Sequence, residues 1–150
     1  MMTKYIRDGR APIPKKKLTS EIMSRIRAKN TMPEVQLRKS LLKNNIKNFK
    51  LHNKQLPGRP DISFPKKKLA IFVNGCYWHR CPFCKPGLPK SHIKFWRDKF
   101  RKNKARDKKK IRELNKLHWK VLVVWECQIK KDVDKIIKRI HNTLVHAKKT

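Results

Sequence analysis

Acidic residues are scarce in this sequence: ten Asp and Glu face 42 Lys and Arg among 150 residues, a formal charge of +32. So large an imbalance exceeds what solubility asks for and marks a chain that binds polyanions. Nucleic acid is the leading partner, because each phosphate neutralised releases condensed counterions and ties affinity to salt. A generally lysine-rich composition would raise the same count with no partner at all. Long apolar runs are missing too. The longest, Leu69 to Val73 and Val121 to Trp125, fall far short of the ~20 residues that span a bilayer, so no membrane is expected. The opening MMTKYIRDGRAPIPKKK lacks the apolar segment of a secretory signal, which predicts a cytoplasmic, nucleoid-associated protein with reduced thiols. There is no internal repeat, and the length suits one domain that hides roughly 70% of its unfolded surface.

What is present centres on LAIFVNGCYWHRCPFC, Leu69 to Cys84. Its five leading apolar residues read as a buried strand, and the chemistry-bearing residues follow at the strand's end, where sheet proteins place their sites. All four cysteines of the chain are Cys76, Cys81, Cys84 and Cys127. The two-residue spacing of Cys81 and Cys84 lets both sulfurs face one ion, and four thiolates complete a tetrahedral structural zinc site. Two disulfides or unliganded core thiols are the alternatives. Cys76-x2-His79 is zinc-compatible as well, but with four sulfurs available His79 is left for proton chemistry near neutral pH.

In chain order, residues 1–17 read as a flexible basic arm, followed by one domain from residue 18 to 150. Ile22, Met23 and Ile26 predict a short helix capped by Ser20 or Thr19. Thr31-Met32-Pro33-Glu34 predicts a second, opened by a capping box in which Glu34 reaches back, with Val35, Leu37, Leu41 and Leu42 buried and Asn44-Asn45 as the stop. Phe49 and Leu51 alternate as in a half-exposed strand. Leu56-Pro57-Gly58-Arg59-Pro60 reads as a turn that delivers Asp61 to a strand ending at Phe64, and Pro65 to Lys68 closes a hairpin into Leu69 to Val73. Ser91 is a candidate cap for a basic helix of ~26 residues, ~39 Å long, whose stripe is Ile93, Trp96, Phe100, Ile111, Leu114 and Leu117. Trp119 to Cys127 reads as a second buried strand ending at the fourth cysteine. Val133, Ile136, Ile137, Ile140 and Leu144 define a closing helix. The result is an α/β fold, a small mixed sheet with helices packed on it.

Asp61, an acid at a strand mouth in a strongly positive field, is a natural Mg²⁺ ligand; it could equally be a turn residue pairing with Arg59 or accepting backbone amides. Glu34 has the capping box as its competing role.

LPGRPDISF, IFVNGCYWHRCPFC, KFWRDKFRKNKARD and WKVLVVWEC, in this order, resemble the very-short-patch-repair (Vsr) family of DNA mismatch endonucleases, from about Ser20 to Gln128. The resemblance implies a restriction-endonuclease-like mixed β-sheet flanked by helices, with a degenerate Asp plus Glu-x-Lys metal site. It implies that Asp61 binds Mg²⁺ with the backbone carbonyl of Val73, that His79 handles the attacking water's proton, and that Glu34 supports the site. It matches Cys76, Cys81, Cys84 and Cys127 to zinc positions, and Tyr77, Trp78 and Trp96 to an aromatic wedge inserted beside the mismatch. Asn74 stands where the best-known members carry a second active-site histidine, and an amide exchanges no protons at neutral pH. The implied reaction is a nick 5′ of the T in a T·G mismatch left by deamination of 5-methylcytosine, on double-stranded DNA, by a monomer working alongside a companion cytosine methyltransferase and mismatch-repair proteins. Rival readings are a restriction or nicking endonuclease acting on matched sites, and a non-catalytic zinc-stabilised DNA-binding module.

Overall fold

The Leu69 strand lies at the heart of a four-stranded mixed sheet in a computed structural model that describes residues 31–147. The strands are β1 (Lys50–Leu51), β2 (Ile62–Phe64), β3 (Leu69–Asn74) and β4 (Lys120–Trp125), in the spatial order β1-β2-β3-β4. The helices are α1 (Met32–Lys43), α2 (Ile93–Lys116) and α3 (Glu126–His146). The expected arm and the helix from Ser20 lie outside the described residues. Among the described residues no helix is long and apolar enough to cross a membrane.

Burial on both faces explains why β3 is continuously apolar. Successive side chains point to opposite faces: Leu69 and Ile71 join Leu122, Val124, Leu37, Leu41 and Ile140 in the larger core under α1 and α3. Ala70 and Phe72 meet Leu114 of α2 on the other face. β2 and β3 form the expected antiparallel hairpin, Ile62 opposite Ile71, turned by a 3₁₀ segment Pro65–Lys67 and by Lys68 in the left-handed region. β3 and β4 are parallel over six pairs, from Leu69↔Lys120 to Asn74↔Trp125. The long α2 provides the crossover that parallel neighbours need.

Local differences from the sequence reading have physical reasons. α1 itself keeps the expected ends: it opens at Thr31, whose hydroxyl accepts the Glu34 N–H at 3.5 Å, and stops at Asn44, with Asn45 left-handed (φ 58°). Leu42 is exposed, because the packed face is that of Leu37 and Leu41. The cap of α2 falls one residue after the expected Ser91: His92 occupies it in a left-handed conformation, and no side chain caps the helix. Its 24 residues span about 36 Å, and its buried stripe contracts to Trp96, Phe100 and Leu114, with Ile93 and Leu117 exposed at the ends. β4 stops at Trp125, so Cys127 lies in the first turn of α3 and not on the strand. Within α3, Asp132 leaves the helical region (φ −160°) while its Oδ1 accepts the Lys135 N–H at 3.2 Å. The kink is thus a helix cap inserted mid-helix.

Candidate active site

The carboxyl ends of β3 and β4 and the entry to β2 converge at one end of the sheet. Gly58 (φ 75°) and Arg59 (φ 49°) are both left-handed, which turns the chain sharply before Pro60 and sets Asp61 just ahead of β2. There its Oδ2 accepts the Val73 N–H at 2.7 Å. Glu34, on the first turn of α1, is 4% exposed. Its carboxylate faces inward, toward the imidazole that follows β1. His52 follows β1, and its N–H donates to the Asp61 carbonyl at 3.1 Å, extending the β1–β2 ladder by one step. The His52 Nε2 stands 3.6 Å from Glu34 Oε2, and its Nδ1 4.0 Å from Asp61 Oδ1. One ligating atom from each of Glu34, His52 and Asp61 falls within 4.8 Å of the others.

Burial pushes the Asp61 carboxyl up to about 7, and the neighbouring Glu34 adds to the rise, while the Val73 amide and the Lys110 ammonium oppose it. Burial resists ionisation of the Asp61 carboxyl, and a divalent cation beside it would favour the charged form. The oxygen pair suits a hard cation such as Mg²⁺, with an imidazole nitrogen beside it. His52 had not been singled out in the sequence. The signal was its place, one residue past a strand whose partner strand begins at Asp61.

His79 lies in a second group. Its Nδ1 is 2.6 Å from Asp107 Oδ2, on α2, and it lines a cleft of about 280 Å³ together with Phe72, Asn74, Asp107, Lys110 and Trp125. A carboxylate on Nδ1 fixes the tautomer and leaves Nε2 as the accepting nitrogen. Asp107 also escaped the sequence reading, though a single acid inside RKNKARDKKK is conspicuous. Asn74 is buried at the end of β3, on the cleft side. Asp61 and His79 therefore do not share one ligand cluster: the Val73–Asn74 backbone separates them, with Val73 bonded to the first and Asn74 lining the cleft of the second.

The four cysteines gather as the spacing predicts, with their Sγ atoms within 4.8 Å of one another and His79 outside the group. All are free thiols, which removes the disulfide reading. Cys81 Sγ and Cys127 Sγ are 3.7 Å apart, close to the ~3.8 Å sulfur separation that a tetrahedral ion with ~2.3 Å bonds requires. The Cys127 N–H points at Cys76 Sγ (3.3 Å) and the Phe83 N–H at Cys81 Sγ (3.4 Å). Burial drives the Cys76 thiol upward. It also works on Cys81, but there the amides of Cys84 and Phe83 prevail and the net shift is downward. Aimed amides favour thiolate, the form a metal takes.

The aromatic residues form one cluster. Tyr77 meets Trp78 and Phe100 edge-on at 5.2 and 5.5 Å, and Trp96 stacks on Phe100 at 5.9 Å. Trp96 is 8% exposed, packed in the α2 stripe, whereas Tyr77 and Trp78 are half-buried. The Lys99 ammonium lies 5.7 Å from both the Trp78 and Trp96 rings, placing positive charge beside the half-buried pair.

The model of the family described as DNA mismatch endonuclease Vsr matches residues 13–85. A type II nicking enzyme of Xanthomonas oryzae, V.XorIIP, is 44% identical over 124 residues, covering 82% of this chain and 89% of its own. The nicking enzyme V.NmeAIP of Neisseria meningitidis is 40% identical over 111 residues, 74% of this chain and 79% of its own. The DNA mismatch endonuclease Vsr of Escherichia coli is 36% identical over 122 residues, 80% of this chain and 76% of its own. With relatives of 44% and 36% identity sharing sequence over most of its length, the chain belongs to the Vsr family of DNA mismatch endonucleases.

Proposed function

We propose that this protein is a Mg²⁺-dependent, strand-specific endonuclease that nicks double-stranded DNA 5′ of the T in T·G mismatches left by 5-methylcytosine deamination, so starting very short patch repair. The observation that carries the reading is the pairing of a carboxylate–imidazole cluster (Glu34, His52, Asp61) with a carboxylate-oriented imidazole (His79 with Asp107) at one end of one sheet. The mixed sheet with helices on both faces supports a restriction-endonuclease-like fold.

Asp61 would hold the Mg²⁺, supported by Glu34 and His52. The N–H and C=O of one strand residue leave on the same side, so the Val73 carbonyl is aimed toward the edge where its N–H already meets Asp61, as a ligand must be. When bound, the ion supplies Lewis-acid polarisation of the phosphate. His79, its Nδ1 held by Asp107, accepts the proton of the attacking water through Nε2. The water oxygen bonds to phosphorus, the P–O3′ bond breaks, the departing O3′ takes a proton from solvent, and a 3′-hydroxyl and a 5′-phosphate remain. Asn74 offers hydrogen bonds to phosphate or water and no proton transfer. The Cys76, Cys81, Cys84, Cys127 group holds zinc as scaffold and takes no part in the reaction. Such a nick needs only a monomer, and a cytosine-5 methyltransferase is the natural companion.

Asp107→Asn is expected to lower kcat on the order of 10²-fold with little change in duplex affinity, because a misoriented imidazole loses general-base catalysis. Single-turnover nicking with a separate binding titration checks this. Tyr77 and Trp78 are the wedge candidates, and a T·G wobble is already weak, so prying it open takes less energy than opening a matched pair. Trp78→Ala should weaken T·G binding about tenfold, in line with the ~1–3 kcal/mol of one stacked base, and leave matched-duplex binding unchanged. Equal loss on both duplexes would argue for packing instead.

A labelled-duplex panel of all mismatches with Mg²⁺, each nick mapped to the nucleotide, tests the reading as a whole. Several relatives carry the name type II nicking enzyme, which favours a second reading, nicking at matched sites. Equal cutting of matched and T·G duplexes would select it, and intact DNA at every enzyme concentration would leave a zinc-stabilised DNA-binding module.

A further inference from the structure

One cation in the cleft is placed unlike the others. Lys104 and Lys108 line it from exposed positions, and the Arg80 guanidinium is engaged with the carbonyls of Pro86 and Gly87 and the Phe100 ring. Lys110 is only 34% exposed. Its aliphatic stem lies across Gly58, so closely that a Cβ on that glycine would fall 2.5 Å from Lys110 Cγ. Its Nζ stands 5.7 Å over the Phe72 ring and 3.8 Å from Asp107 Oδ1. The lysine thus spans the two halves of the site, packed on the loop that delivers Asp61 and paired with the carboxylate that holds His79. Its charge already acts on Asp61. An ammonium has three donors, more than one carboxylate oxygen uses, and it is partly withdrawn from water, where a charge–charge contact is strongest. β3 itself, LAIFVN, brings no lysine to this end of the sheet.

We propose that Lys110 is a catalytic residue that binds the scissile phosphodiester, its ammonium contacting a non-bridging oxygen of that single DNA phosphate from the helix side of the cleft. The role rests on the nuclease reading above. It adds a fixed positive charge where negative charge accumulates during phosphoryl transfer, and it requires Gly58, because any side chain there would displace the lysine stem.

The test uses the full chain and a duplex whose nick has been mapped with the wild type. Lys110→Gln should lower kcat on the order of 10²-fold, the loss typical of removing one preorganised donor to a developing oxyanion, and weaken binding of the intact duplex as well. Lys110→Arg should recover part of the rate. Binding is then measured with Ca²⁺ replacing Mg²⁺, on duplexes whose mapped phosphate is either intact or a neutral methylphosphonate. The wild type should lose clearly more affinity on the neutral duplex than Lys110→Gln does, because only the wild type has the ammonium contact to lose there, a pattern that a merely structural lysine would not produce. An unchanged kcat in Lys110→Gln, or equal sensitivity of both proteins to the methylphosphonate, overturns the proposal. Failure of the wild type to nick any duplex would overturn the nuclease reading itself, an outcome distinct from an active wild type matched by an equally active Lys110→Gln.

Discussion

Asp61→Asn is expected to abolish nicking, by at least the order of 10³-fold, and at the same time to make the metal-free protein more stable. The loss follows from the chemistry: an amide brings no negative charge to a divalent cation, and the phosphate then goes unpolarised. The gain follows from burial. The carboxyl rises from 3.8 to about 7 in the fold, so between those values the folded protein keeps a proton that the unfolded chain has released. Stability therefore falls as pH climbs from about 4 to 7, and the penalty is complete above 7, at a ceiling of about 4 kcal/mol. The Asn oxygen can still accept the Val73 N–H without that penalty. In metal-free buffer at pH 8 the variant should melt about 5 °C or more above the wild type, and the gap should close toward pH 4. Added Mg²⁺ should raise the wild-type midpoint more as pH increases, since it competes with the proton for Asp61. A metal-free Asp61→Asn that melts below the wild type at pH 8 would mean that burial of charge is not what sets this carboxyl.

The second large effect lies with the sulfur cluster. One zinc per chain is expected by elemental analysis, and its removal by a strong chelator, or by Cys127→Ser, should lower the melting midpoint by roughly 10 °C. An ion held 1,000-fold above its dissociation constant contributes about 4 kcal/mol, and each kcal/mol moves a domain of this size by about 2–4 °C. Nicking should fall with it, because the turn from Gly75 to Cys81 that presents His79 is closed by the Cys81 N–H on the Cys76 carbonyl (2.9 Å) and anchored by both sulfurs. A Cys127→Ser protein with full zinc content and an unmoved midpoint would remove Cys127 from the ligand set.

Much of this was legible before any coordinates. The β2–β3 hairpin was written in Pro65-Lys66-Lys67-Lys68, the capping Thr31 in its position before Pro33, and the four-sulfur cluster in cysteine spacing. These are local signals, each decided within a few residues. What escaped depends on partners distant in sequence. His52 and Asp107 look like ordinary polar residues until the hairpin brings one to Asp61 and the α2 crossover brings the other to His79, 28 positions away. Trp96 fits either a wedge or a core in the sequence, and its stacking on Phe100 shows only in the fold. Cys127 was read as strand because VLVVW runs straight into it; the helix begins one residue earlier because Gln128 accepts the Trp125 N–H at 3.1 Å and ends the extended run.

Both halves of the site touch β3, Val73 through its amide and Asn74 through its side chain. Sliding that strand by a single position would swap its two faces, carrying the amide away from Asp61 and the asparagine out of the cleft in one step. Six-residue pairing with β4 guards against such slippage, whereas the two-residue β1 guards little. Variation accumulating among descendants of this gene should accordingly be tolerated along the outer hairpin and purged from the central alignment, even at positions that never meet DNA.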